Sequence, residues 1–104
     1  MIRVWRIVKS RYSEHALDGE GPRLYGGRWS SPGTRIVYAS QNLSLAVLEV
    51  LVHLQDPKLL ASYVYLELSL PEETIDVFDR SALSPSWRSS PAPPETQRVG
   101  DTWA

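Results

Sequence analysis

Apolar residues change their period several times along this chain, and each change marks an element. Ile2 to Val8 mixes β-branched and aromatic residues, a composition that suits a strand. Arg11 to Leu24 is polar and holds Gly19 and Gly21-Pro22, which predicts a loop. Tyr25-Gly26-Gly27-Arg28-Trp29 and the turn signal Ser31-Pro32-Gly33 follow, and Arg35-Ile36-Val37-Tyr38-Ala39 then reads as a short strand, so two strands are expected around a Pro-Gly turn. The clearest periodicity comes next. Leu43, Ala46, Val47, Val50, Leu51 and Leu54 recur at helical spacing, Asn42 or Ser44 can cap the start, and Asp56-Pro57 ends the run. Leu45, Leu48 and Val52 make the opposite side apolar as well, so this helix is expected to be buried, with Asn42, Glu49, His53 and Asp56 on a narrow polar strip.

Ser62 to Leu70 alternates, with Val64, Leu66, Leu68 and Leu70 on one face and Tyr63, Tyr65, Glu67 and Ser69 on the other, the signature of a half-buried strand. Pro71 stops it, and Thr74 to Phe78 suits another short strand. From Ser81 onward proline and serine dominate, and residues 81–98 are expected to form a loop or disordered segment. The final Val99-Gly100-Asp101-Thr102-Trp103-Ala104 reads as the start of an element that is cut off. The order of elements predicts an α+β domain, mostly β with a central buried helix, spanning residues 1–104 as one unit.

Composition narrows the chemistry. A formal charge of −1 gives no clustered basic surface for nucleic acid or anionic lipid, so direct nucleic-acid binding is not expected. The absence of cysteine excludes disulfides, thiolate catalysis and cysteine-based metal sites. Two histidines without ligand spacing make a poor metal set, and no metal is expected. There is no P-loop, no G-x-G-x-x-G and no G-x-S-x-G. The N-terminus has charges within its apolar run, unlike a signal peptide, and no stretch approaches the ~20 apolar residues of a membrane span, so a cytoplasmic protein is expected.

Three positions can do chemistry. An arginine after Gly26-Gly27 has a planar fork suited to phosphate or carboxylate, and its plain alternative is a surface Arg28 after a hairpin turn. Tyr38, at the end of a strand, can stack on an aromatic ring or serve as a core tyrosine. Glu49 interrupts an apolar helix, where a buried, unpartnered carboxylate costs several kcal/mol; it must reach solvent, pair with a base such as His53, or line a cavity.

In order, Trp5-Arg6, Leu17-Asp18-Gly19-Glu20-Gly21, Tyr25-Gly26-Gly27-Arg28-Trp29-Ser30-Ser31-Pro32-Gly33, Val37-Tyr38-Ala39-Ser40 and Ala46-Val47-Leu48-Glu49-Val50-Leu51-Val52-His53 resemble the RES domain, and Gly100-Asp101-Thr102-Trp103 is similar to its later G-D-x-W stretch. The resemblance implies a fold similar to the ADP-ribosyltransferase toxins and membership in bacterial Xre–RES toxin–antitoxin pairs. It implies NAD as substrate rather than cofactor, broken between nicotinamide and ribose with water or phosphate as acceptor, or used to modify a protein. It matches the family's catalytic arginine, tyrosine and glutamate to Arg28, Tyr38 and Glu49, with Tyr25, Arg28 and Tyr38 binding substrate. The implied partners are an Xre-type antitoxin and a second copy of the chain. The family's serine lies beyond the G-D-x-W stretch, and Ser81, Ser84, Ser86, Ser89 and Ser90 all precede it. The expectation is therefore a truncated domain, with an inactive antitoxin-binding or self-associating fragment as the alternative.

Overall fold

Residues 1–104 are all described by the computed structural model, in which two strands and three α-helices alternate with four short 3-10 turns. Residue contacts divide them into two units, one of Met1–Ala16 with Tyr38–Asp76, the other of Leu17–Val37 with Val77–Ala104.

The first unit is built on an antiparallel ribbon. Strand β1 (Ile2–Lys9) pairs with β2 (Tyr63–Leu70) in a register running from Ile2 opposite Leu70 to Lys9 opposite Tyr63. From Tyr65 on, burial in β2 follows the alternation of its sequence: Leu66, Leu68 and Leu70 are half-buried, while Tyr65, Glu67 and Ser69 are exposed; at the start it reverses, with Tyr63 half-buried and Val64 exposed. Helix α2 (Leu43–Leu51) packs on β1. Its cap is Asn42, whose side chain accepts from the Leu45 amide at 2.8 Å and satisfies one of the free donors of the first turn. At the other end His53 N–H donates to Val50 and Leu54 N–H to Leu51, a tightened last turn that ends the helix before Pro57.

The second unit holds helices α1 (Glu20–Tyr25) and α3 (Pro94–Trp103). Thr96 and Gly100, one turn apart, form the buried face of α3. Proline at the start of this helix fits a position whose amide has no helical partner.

The α+β class holds, with strand as the minor part: a two-stranded sheet is the whole of it. Arg35 to Ala39 forms no strand, and only Ser40 bridges, exchanging backbone hydrogen bonds with Trp5. The expected strand at Thr74 to Phe78 is also absent, and a 3-10 turn at Glu72–Thr74 precedes unpaired extended chain. Between Arg11 and Leu24, where a loop is expected, stand a 3-10 turn at Ser10–His15 and all of α1 but its last residue. The expectation of a buried central helix is corrected too. Ala46 is the buried residue of α2, while Leu48 and Val52 are 57% and 72% exposed, because β1 covers one stripe and the opposite stripe has no counterpart in its unit. No helix is long and apolar enough to cross a membrane.

Candidate active site

Arg28 sits at the tip of a tight turn. The Gly27 amide donates to the Ser30 carbonyl at 2.9 Å, closing the chain around Arg28 and Trp29. Of the two glycines, Gly26 supplies the conformational freedom: its φ is +73°, and a Cβ there would stand 3.0 Å from the Pro32 ring. The Arg28 Nη1 donates to the carbonyls of Trp87 at 2.8 Å and Ser89 at 2.9 Å. Half-burial and two acceptors hold the guanidinium in one orientation while Nε and Nη2 keep no protein acceptor. The Trp29 and Trp87 rings, 5.8 Å apart between centroids, tie the same two segments together. Arg88 lies over the Trp87 ring.

The turn is anchored to α3 as well. Gln97 Nε2 donates to the Gly27 carbonyl at 3.1 Å. Ser31 donates twice to Asp101, from its amide at 2.9 Å and from its hydroxyl at 2.5 Å. The hydroxyl and then the amide of Ser31 hold the Asp101 carboxyl below the usual carboxylate range. Gly100 makes this contact possible, since a Cβ there would meet the Trp29 carbonyl oxygen at 1.6 Å.

In the first unit, Tyr38 is half-buried on the unpaired segment before the Ser40 bridge. Its carbonyl accepts from Arg6 Nη1 at 2.8 Å, while Arg6 Nε donates to the Ala16 carbonyl at 2.6 Å. Glu49 lies on the exposed side of α2 and makes no hydrogen bond or ion pair. Of the routes open to this carboxylate, it takes the one to the surface, and His53 is exposed beside it without pairing. Leu45 and Val52, one turn to either side of Glu49, are also exposed. Tyr25, at the end of α1, is 83% exposed.

Arg28 and Tyr25 thus belong to one unit, Tyr38 and Glu49 to the other. Sequence reasoning passed over Arg6, Gln97 and Asp101. A charge inside the apolar run of β1 was a usable signal for Arg6. For Gln97 and Asp101 the signal existed only as an i, i+4 pair on a helix that the proline-rich composition concealed. No group of histidine and acidic residues is placed to hold a metal ion.

The fold is that of an α+β domain, with the arginine turn in one unit and the acid-bearing apolar helix in the other. The RES domain model matches residues 3–104, and the chain belongs to that family. It is similar to a Toxin Res of Photorhabdus laumondii, 40% identical over 100 residues, which cover 96% of this chain and 64% of the relative. A Toxin Res of Yersinia enterocolitica is 35% identical over 96% of this chain and 66% of its own length. A protein of Sphingobium named Prs ADP-ribosylating toxin is 33% identical over 96% of this chain and 65% of its own. The chain spans a little under two thirds of the length of these relatives.

Proposed function

We propose that this chain is the substrate-binding part of a toxin that destroys NAD by breaking the bond between nicotinamide and ribose. The observation that carries the reading is the family match across residues 3–104, which includes Arg28, Tyr38 and Glu49. In this reading the guanidinium of Arg28, oriented by two carbonyls, takes the NAD diphosphate or the nicotinamide-side ribose on its remaining donors. Tyr38 stacks on the nicotinamide ring and Tyr25 contributes to substrate binding. Glu49 accepts from the ribose hydroxyls and stabilises the positive charge that builds on ribose as nicotinamide leaves with the bonding electrons. Water or phosphate then forms the new bond at the same carbon.

A second reading is favoured by the name of the Sphingobium relative: the acceptor is a protein side chain, and the reaction is ADP-ribosylation. A third, a catalytically inactive module that binds an Xre-type antitoxin or itself in the cytoplasm, is favoured by the exposed apolar side of α2.

Product analysis after mixing with NAD, with and without phosphate and with a protein acceptor, separates the three. Free nicotinamide with ADP-ribose or its phosphate supports the first. Label transferred to protein supports the second. Intact NAD supports the third and overturns the first.

A further inference from the structure

The Gly100-Asp101 pair plays no part in the chemistry just proposed, yet it contacts the turn that carries Arg28. One stripe of α3 grips that turn at three successive points. Gln97 holds the carbonyl of Gly27, Gly100 lies against the carbonyl of Trp29, and Asp101 holds both the amide and the hydroxyl of Ser31. Residues 27, 29 and 31 are thereby fixed on the helix side. The side chain of Arg28 is fixed by the carbonyls of Trp87 and Ser89.

We propose that Asp101 is a positioning residue for Arg28: by clamping Ser31 with both carboxylate oxygens, it holds the turn in the geometry that presents the guanidinium to an anionic group of the substrate. The proposal rests on the anion-binding role given to Arg28 above. Asp101 itself has no claim on the substrate, since each oxygen is engaged by Ser31. A carboxylate suits the task better than an amide. Ser31 brings two donors, an N–H and an O–H, and only a carboxylate offers an acceptor oxygen to each, with charge-assisted strength. A turn released by a fraction of an ångström carries its arginine out of line, and misplacement on that scale is worth about tenfold or more in binding or rate.

The test is a double-mutant cycle on the 104-residue chain, read by calorimetric affinity for NAD and for inorganic pyrophosphate as a simpler anion. Arg28→Ala and Asp101→Ala each weaken both probes by about tenfold. The double variant is no weaker than Arg28→Ala alone, because Asp101 acts through that side chain. Asp101→Asn falls between wild type and Asp101→Ala. Ser31→Ala removes the hydroxyl bond alone and serves if Asp101→Ala does not fold; its smaller loss likewise vanishes in the Arg28→Ala background. If Arg28→Ala weakens the probes but Asp101→Ala and Ser31→Ala do not, or if their losses add to that of Arg28→Ala, the positioning role is overturned while the function stands. If wild type binds neither probe, or Arg28→Ala binds both as well as wild type, the anion-binding reading itself fails and takes this proposal with it.

Discussion

At Asp101 the hydrogen bonds from Ser31 make a statement about stability as well as position. The folded carboxyl is held below its ordinary value, so its contribution is present above the unfolded value and is lost as pH falls through the folded one. Acidification below about pH 4 is therefore expected to weaken the wild type more than Asp101→Asn, while at neutral pH the variant is the less stable of the two. Urea unfolding at pH 7 and pH 3 checks both signs. Asp79, held low by the hydroxyl and amide of Ser81, loses its share in either background. Thr96 makes the opposite case. It is 1% exposed and its Oγ1 has no hydrogen-bond partner, so Thr96→Val removes a stranded hydroxyl at nearly constant shape. Stabilisation of about 1 kcal/mol is expected, seen as a higher Tm. Gly100→Ala runs the other way. A methyl placed on the Trp29 carbonyl forces helix and turn apart, at a cost expected to exceed ~3 kcal/mol, measurable as partial or complete loss of cooperative unfolding.

Among the elements, α2 shows how far periodicity reaches. Its spacing places the helix, and Asn42 supplies the cap, so Asn42→Ala should cost about 1 kcal/mol in chemical denaturation. The narrow polar strip of Asn42, Glu49, His53 and Asp56 is exposed as its sequence suggests, but the width of the exposed side could not be read from the pattern, because Leu45, Leu48 and Val52 beside the strip are apolar. The structure answers through β1, and the answer has a consequence: Leu48→Gln should change stability by no more than about 0.5 kcal/mol, whereas Ala46→Leu should cost roughly 1–3 kcal/mol by overpacking. Strand propensity shows the same limit. Ile2 to Val8 and Ser62 to Leu70 become strands because each meets the other in register. Arg35 to Ala39 has equally suitable residues, but apart from the Ser40 bridge it meets no strand to pair with, and propensity without a ladder makes no strand. Helix α3 was hidden for a different reason: prolines that signal a loop on average also start helices.

For the molecule as a whole, the NAD reading makes Glu49 the residue whose loss should separate catalysis from binding. Glu49→Gln is expected to lower turnover by ~100-fold or more with little change in NAD affinity, and Arg28→Ala to weaken both, as read by nicotinamide release alongside calorimetric titration. Equal loss of affinity in the two variants would reassign the glutamate to binding.

The linear order of residues was enough for the α+β class, the two long strands, the start of the helix at Leu43 (though not its end at Leu51) and the family, because those depend on local periodicity and on motifs whose spacing survives in one dimension. Tertiary structure decided which of the routes open to Glu49 it takes, that Arg28 is steadied by Trp87 and Ser89, and that Asp101 holds the turn from 70 residues away. The reason is physical: hydrogen bonds and burial are set by which surfaces meet, and residues far apart in the chain leave no mark of that meeting in their own local pattern.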